Sequence, residues 1–189
     1  MSEPVRITLP GDTARLRELG AGTPVLLSGR VFTARDATHA RIAAELERDG
    51  VLPHDLAGAV LFYAGPTPPA AGRPLGSVGP TTARRMDAWT PALLAAGIAA
   101  TIGKGARSEV VREACRVHGA VYLAAVGGTA ALLATRVTSA EPVAYGDLGT
   151  EALVRMELVD FPVWVAIDTK GHDLYAEARD EWAAGEGRR

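Results

Sequence analysis

The sequence predicts an α/β fold in which helices flank a mixed β-sheet. Its 189 residues are the length of a single domain, residues 1–189, and 48% of them are hydrophobic, which is enough to bury a core. Segments with the spacing of strands and segments with the spacing of helices both recur along the chain. They do not alternate strictly as strand, helix and strand, so we expect a mixed rather than a purely parallel sheet.

The first half of the chain contains three strand-like segments and two helix-like segments. Alternating or β-branched composition predicts strands within 5–9, 23–34 and 56–65, the second being one strand or two around Gly29. Asp12 can begin a short helix to Leu19. A second helix is expected from Asp36 to Arg48, and Gly50 should end it. Its inward positions are predicted to be Ala40, Ala43, Ala44 and Leu46.

The second half continues the same mixture of elements. Helices are predicted over 86–96, from Ser108 to about Val117, over 129–137, and from Asp173 onward with a frayed EGRR tail. Strands are predicted within 98–102, 119–128, 153–159 and 163–167. Residues 65–80 hold five Pro and four Gly, a density that stiffens a loop, so we expect a constrained functional loop there rather than a domain boundary.

Composition excludes several classes of function. With 22 acidic and 20 basic residues, the chain has no global charge that would favour nucleic acid or a membrane surface. One cysteine, Cys115, cannot form an internal disulfide or a metal cluster of this chain's own thiolates. The sequence has no leader-like start and no apolar run of about 18 residues, so a soluble, cytoplasmic protein is expected.

The segment GPTTARRMD, residues 79–87, concentrates polar side chains behind a Gly-Pro pair. It can be a turn whose threonines cap the next helix and whose arginines are solvated. It can also be an anion pocket, because hydroxyl groups, arginine and the free amides at the start of a helix all bind negative charge.

Three other segments carry chemistry-bearing residues. In GKGARS, residues 103–108, Lys104 follows a strand between two glycines, which suits either an exposed turn or a close approach to a ligand; the glycine spacing is not that of a phosphate-binding P-loop. At 35–39, Asp36 and His39 have the spacing of a salt-bridged helix entry, and no further ligands suggest a metal site. The polar turn at 168–173 is expected to be solvated.

Together these segments resemble the β-type domain of the iron–sulfur-dependent hydro-lyases, the class I fumarases and L(+)-tartrate dehydratase. The resemblance rests on GRVFTARDATH at 29–39, YAGP at 63–66, GSVGPTTARRMD at 76–87, GKGARS at 103–108 and VDFPVWVAIDTKG at 159–171. It covers nearly the whole chain in the order of the family. The pair GPTT-x-x-RMD and, about twenty residues later, KG-x-RS is its most specific part.

The resemblance implies a swivelling β/β/α domain that closes over a cysteine-bearing α subunit. That partner would hold a [4Fe–4S] cluster whose iron binds the leaving hydroxyl as a Lewis acid. This chain alone would bind no cluster, since one thiolate cannot ligate it, and would be colourless and inactive. A homodimer or an α2β2 assembly is expected, with a dicarboxylate as substrate.

The family pattern also assigns roles to individual residues. By that pattern the cations that face the substrate are Arg35, Arg85 and Lys104, and Lys104 is also a catalytic candidate. Thr81 and Thr82 bind carboxylate, and Thr81 is the candidate base, a role that needs support from a nearby cation.

Secondary candidates are Asp36, His39, Asp87 and Arg107, and no metal ligand is expected. Arg84 occupies a variable position that should be solvated.

Several functions remain open at this point. Fumarate and L-malate are favoured as the substrate pair because GKGARS keeps the fumarase-like Arg-Ser ending. L(+)-tartrate dehydratase and mesaconase-type β subunits are alternatives within the same class. A carboxylate-binding regulatory domain without catalysis could retain the same donors.

Overall fold

Seven strands form the centre of the computed structural model, which describes residues 3–69 and 71–185. The strands are β1 (Val5–Leu9), β2 (Pro24–Thr33), β3 (Val60–Phe62), β4 (Ala100–Gly103), β5 (Val121–Ala124), β6 (Val137–Ala144) and β7 (Leu153–Ile167). The α-helices are α1 (Thr13–Leu16), α2 (Asp36–Asp49), α3 (Thr90–Ala95), α4 (Glu109–His118), α5 (Ala130–Ala134) and α6 (Leu174–Ala183). Two 3₁₀ helices span Ala83–Met86 and Gly146–Glu151.

The sheet is mixed, which confirms the predicted fold class. Strands β1 to β5 pair side by side in parallel, and β7 runs antiparallel to β2, β5 and β6. Because β7 contacts both β2 and β5, the five strands β2, β3, β4, β5 and β7 close on themselves. The arrangement is that of a β/β/α domain.

Alternation along the strands divides the apolar residues between two cores. In β3 and the residue after it, Val60 and Phe62 join a cluster with side chains from all seven strands, whereas Leu61 and Tyr63 join a cluster shared with α2, α3 and α4. A strand sends successive side chains to opposite faces, so one short strand serves both cores. All four side chains are almost fully buried.

Proline residues decide two differences from the predicted elements. The segment expected to be one helix over 86–96 is a 3₁₀ turn followed by α3, whose first turn contains Pro91. A continuous helix would bring the Pro91 ring against the carbonyl of Asp87, which disfavours it. Conversely, Pro162 does not divide β7 into two strands. Asp160 adopts a φ of 48° beside a shift in the register between β7 and β2 near Leu27, and this bulge accommodates the irregularity.

Three further predictions about elements were wrong or incomplete. Strand β6 was missed, because its polar sequence with Pro142 lies at the edge of the sheet, where proline is tolerated. On α2, Ala40 and Ala44 are exposed, and the buried positions are Thr38, His39 and Ile42. Helix α1 ends at Leu16, three residues earlier than expected.

In the turn before α6, Asp168 and Asp173 are buried rather than solvated, whereas residues 169–172 are partly or fully exposed. Asp168 is 2% exposed and accepts hydrogen bonds from three backbone N–H groups and from His172 Nδ1. Although burial alone would raise it, the pKa of Asp168 is lowered by these donors. Asp173 begins α6 as predicted, since its carboxylate accepts from the backbone N–H groups of Tyr175 and Ala176. The predicted tail at 186–189 lies outside the described residues.

Across residues 3–69 and 71–185, the helices are too short or too polar for any of them to span a membrane.

Candidate active site

The residues predicted for the site meet at the carboxyl ends of the parallel strands, which we call the site edge. Parallel strands present their carboxyl ends on the same side, where ligands of α/β proteins commonly bind. Arg35 follows the end of β2, and Lys104 follows the end of β4. Because β7 runs antiparallel, its amino end lies at this edge too, and it brings Glu151 beside Arg35.

The two most specific motifs are joined by backbone pairing. Thr82 and Lys104 form a parallel bridge, in which the N–H of Lys104 donates to the carbonyl of Thr81 at 3.1 Å and the N–H of Ala83 donates to the carbonyl of Lys104 at 3.0 Å. The GPTTARRMD segment thereby extends the sheet beside β4. Gly103 allows this closeness, since a Cβ there would lie 2.8 Å from the Cβ of Ala83.

Arg85 connects Thr81 to the start of α2. Its Nη2 donates to Thr81 Oγ1 and to Asp36 Oδ2, both at 2.9 Å. The Arg85 side chain is 45% exposed and Thr82 is exposed, so this part of the site opens to solvent. Arg84 is also exposed and has no ion pair within the part of the chain that the structure describes.

Arg35 is held between a glycine and a carboxylate. Its Nη2 lies 3.4 Å from Glu151 Oε1, and Glu151 Oε2 accepts the N–H of Ala37 at 2.9 Å. A Cβ at Gly65 would come within 2.8 Å of both Arg35 Nη1 and the backbone oxygen of Thr150, and because that backbone cannot swing aside as a side chain can, the YAGP segment needs glycine at this position. The Arg35 Nε is buried and has no partner among the described residues.

Lys104 extends along the glycines that follow β5. A Cβ at Gly127 would lie 3.1 Å from Lys104 Cδ and 3.5 Å from its Nζ. Among residues 3–69 and 71–185, no carboxylate pairs with the Lys104 ammonium group, whereas Arg35 and Arg85 each have a carboxylate partner. Its positive charge is therefore free to meet an anionic ligand.

Arg107 and Asp87 lie beneath the site rather than in it. Arg107 Nε donates to Asp87 Oδ1 at 2.7 Å, and the guanidinium carbon lies 5.3 Å from the ring centroid of Tyr63 and 4.9 Å from that of Tyr122. The side chain of Arg107 is fully buried. Burial lowers its pKa, but Tyr63 and Asp87 outweigh burial and leave the pKa raised, so Arg107 stays charged. Asp87 also accepts the N–H of Ser108, which ties the two motifs together.

His39 is neutral and does not form the predicted pair with Asp36. Its Nδ1 donates to the carbonyl of Arg35 at 2.8 Å, and its buried Nε2 has no partner within the described residues. Burial is the main cause that lowers the pKa of His39 to about 4. The ring packs edge-on against Tyr63 at 5.0 Å, and Asp36 pairs with Arg85 instead.

The geometry thus brings Thr81, Thr82, Arg85, Lys104 and Asp36 together, and it places Arg35 at the same edge. Sequence reasoning missed Glu151, which comes from the segment before β7, and Gly127. The pair Gly127-Gly128 directly after a strand was the only available signal for the latter.

The residues of this chain do not fit an iron–sulfur cluster. Burial raises the pKa of the Cys115 thiol to about 12, so the thiolate that a cluster needs is strongly disfavoured. Within the residues that the structure describes, no group of three or more His, Cys, Asp or Glu side chains could hold a metal ion.

Comparisons with known proteins identify the family of the chain. The family model of the fumarase C-terminus matches residues 1–178. The chain is 38% identical over 166 residues to the anaerobic class I fumarate hydratase of Escherichia coli K12, covering 87% of this chain and 30% of that enzyme. It therefore spans about a third of the length of the fumarate hydratases it matches.

Two relatives match over most of their own length. The chain is 36% identical to a putative L(+)-tartrate dehydratase subunit beta of Methanocaldococcus jannaschii, covering 86% of both chains. It is 34% identical to the L(+)-tartrate dehydratase subunit beta of Escherichia coli K12, covering 94% of this chain and 89% of that subunit. The resemblance in the motifs is confirmed, and the chain belongs to the family of the fumarase C-terminal domain.

Proposed function

We propose that this chain is the β part of a two-part [4Fe–4S] hydro-lyase that reversibly adds water to fumarate to give L-malate. The observation that carries the proposal is the convergence of Thr81, Arg85 and Lys104 at the end of β4. Hydroxyl and cationic donors from two separate motifs meet there on one surface. Such donors suit a small molecule with two carboxylates.

The cations of the site hold the substrate carboxylates and the charge that develops during reaction. Lys104 has no carboxylate partner among the described residues, so it is the first candidate for direct contact. Arg85 and Arg35 bind further oxygens when their contacts with Asp36 and Glu151 adjust. Fixed cations of this kind stabilise a transition state in which negative charge grows on the substrate as the C3 proton leaves.

We propose that Thr81 accepts the proton that is removed from C3 of malate. Removing the C3 proton of malate requires negative charge on the receiving oxygen, and a threonine hydroxyl resists that charge. The Nη2 of Arg85 donates to Thr81 Oγ1 at 2.9 Å, which stabilises such a charge. Thr82 is exposed beside it and is proposed to bind carboxylate.

The cluster is proposed to belong to a cysteine-bearing α subunit that covers the open site. The Cys115 thiol of this chain is buried in the core between α4 and the sheet, so it is not exposed as a ligand for a cluster. The stoichiometry is proposed to be an α2β2 assembly or a related dimer.

L(+)-tartrate is the second candidate substrate. The chain covers 86% and 89% of the two tartrate dehydratase beta subunits, whereas it covers 30% of the fumarate hydratase. Tartrate differs from malate by one hydroxyl group, and the same carboxylate donors would hold it.

A substrate panel on the assembled enzyme tests the proposal. The chain is coexpressed with the α subunit, the cluster is reconstituted anaerobically, and turnover of fumarate, L-malate, L(+)-tartrate and mesaconate is measured. We expect the complex to hydrate fumarate, and the chain alone to be colourless and inactive. A stable visible-range iron–sulfur absorbance from the chain alone, or a complex that turns over none of the four compounds, contradicts the proposal.

The role of Thr81 is tested by exchange of the C3 hydrogen of malate with solvent deuterium. Thr81→Val keeps the shape and removes the hydroxyl, so kcat should fall far more than affinity. Thr82→Val should weaken binding and rate together. If the Thr81→Val complex exchanges at nearly the parent rate, Thr81 is not the base.

A further inference from the structure

The backbone after β4 is held by side chains that no motif of the sequence contains. Gly105 has a φ of 83°, in the left-handed region, so the chain turns sharply immediately after Lys104. A turn of this kind keeps one orientation only when its peptide groups have fixed partners. Those partners are the backbone N–H of Ala83 and two tyrosine hydroxyl groups from distant segments.

The peptide group between Lys104 and Gly105 is held on both sides. Its carbonyl accepts the N–H of Ala83 at 3.0 Å, and its N–H donates to the hydroxyl of Tyr175 at 3.2 Å. The following carbonyl, that of Gly105, accepts from the hydroxyl of Tyr122 at 2.8 Å. Three consecutive polar groups of the turn therefore have partners.

The two tyrosines are themselves fixed. Tyr122 lies on β5, is fully buried, and packs against the guanidinium of Arg107. Tyr175 lies in the first turn of α6, where its own N–H donates to the carboxylate of Asp173 at 2.9 Å. The last helix of the structure is thereby connected to the loop that carries the candidate catalytic lysine.

We propose that Tyr175 and Tyr122 are positioning residues that aim Lys104 at the substrate, an inference that rests on the proposed function of this site. Neither tyrosine contacts the substrate. The Tyr175 hydroxyl fixes the peptide plane that follows the Lys104 Cα and helps to set the direction in which its side chain leaves the backbone, and the Tyr122 hydroxyl fixes the next plane, which holds the first in place. Gly127 then leaves room for the extended side chain.

Loss of either hydroxyl group loosens one peptide plane without removing the lysine, and in Tyr175→Phe the N–H of Ala83 alone then holds the Lys104–Gly105 peptide. The ammonium group then samples several positions, and misplacement of a catalytic group by about 1 Å can cost about 100-fold in rate. Tyr→Phe removes only the hydroxyl and keeps the ring, so packing against the neighbouring residues is preserved. The variants therefore separate orientation from folding.

The first measurement uses the chain alone and does not depend on its activity. The hydrogen exchange of the Gly105 amide is followed by NMR in the parent, in Tyr175→Phe and in Tyr145→Phe. Tyr145 is the matched control, because its hydroxyl contacts His54 at 3.1 Å and not the loop. We expect exchange to be about tenfold faster in Tyr175→Phe and unchanged in Tyr145→Phe. An unchanged rate in Tyr175→Phe overturns the proposal.

The second measurement uses the assembled enzyme and a double-mutant cycle. The dissociation constant of succinate, a dicarboxylate that can neither lose nor gain water, is measured with Tyr175→Phe and Tyr122→Phe, each with and without Lys104→Met. We expect each tyrosine variant to weaken binding about tenfold only when Lys104 is present. Equal weakening in the Lys104→Met background overturns the proposal, because the tyrosines would then act on something other than the lysine.

Failure of the two ideas can be distinguished. If the parent complex neither turns over the substrate panel nor binds succinate, the proposed function fails and the proposal that Lys104 is aimed at a dicarboxylate fails with it. The amide exchange still decides whether Tyr175 holds the turn. If the parent complex is active and the tyrosine variants match it in succinate affinity and turnover, only the positioning role is overturned.

Discussion

His39 should make the stability of the chain depend on pH in a window where exposed histidines have little effect. Its imidazole is completely buried, and its pKa falls from 6.5 to about 4, mainly because burial disfavours the charged ring. In the unfolded chain the ring takes up a proton near pH 6.5, whereas in the folded chain it does so only near pH 4. The unfolded state therefore binds more protons between these values, and stability must fall as the pH is lowered through the window.

The size of the effect follows from the width of that window. Each pH unit between the two pKa values costs about 1.4 kcal/mol, so the full window lowers the free energy of unfolding by about 3 kcal/mol. Below about pH 4 both states carry the proton and this contribution stops changing. A loss of this size is a large fraction of the stability of a typical domain.

The assay is urea denaturation at several pH values from 7 to 4, in the parent and in His39→Gln. Carboxylates also begin to titrate near pH 4, so the informative quantity is the difference between the two pH dependences. We expect the parent to lose about 3 kcal/mol more than His39→Gln. His118→Gln, which changes an exposed histidine at the end of α4, should follow the parent. Identical pH dependences in the parent and in His39→Gln would refute the argument.

Three further changes give distinct outcomes. Arg85→Ala should lower kcat/KM of the assembled enzyme about 100-fold or more, whereas Arg84→Ala should change it less than about threefold, because an exposed arginine contributes little. Gly127→Ala places a methyl group 3.1 Å from Lys104 Cδ and should lower kcat/KM about tenfold without changing Tm, whereas Gly146→Ala, with open space around it, should alter neither. Asp168→Ala leaves three backbone N–H groups without their acceptor and should lower the free energy of unfolding by about 2 kcal/mol or more in urea denaturation.

The sequence predicts which residues form the site better than it predicts which of them are exposed and which are buried. GPTTARRMD and GKGARS each read as candidate anion sites, and the predicted turn after a strand correctly placed Lys104 at a strand end. Their direct pairing could not be predicted, because no spacing rule brings Thr82 beside Lys104. The family pattern ranked Arg107 below Arg85 as a site residue, but only packing reveals that Arg85 is at the surface and Arg107 is buried between two tyrosine rings.

The errors at Asp168, Glu151 and Tyr175 share one physical cause. Polar residues in a turn predict exposure, yet Asp168 is buried because backbone N–H groups around it supply the hydrogen bonds that water would otherwise give. Glu151 and Tyr175 reach the site from segments far away in the chain, so they leave no local pattern. Local sequence patterns do not reveal hydrogen-bond partners that come from distant segments of the chain.

The balance of charge at the site edge favours a second surface above it. Arg35, Arg85 and Lys104 carry three positive charges, and Asp36 and Glu151 return two negative charges at 2.9 and 3.4 Å from the arginines. His39 adds none, since its imidazole is neutral. The described side chains here therefore offer about one unit of net positive charge, whereas a dicarboxylate brings two negative charges. Burying the excess charge would cost several kcal/mol. If a dicarboxylate is enclosed at this site as proposed, the charge balance requires a further cation from the surface that closes over Thr82 and Arg85, which the proposed α subunit would provide.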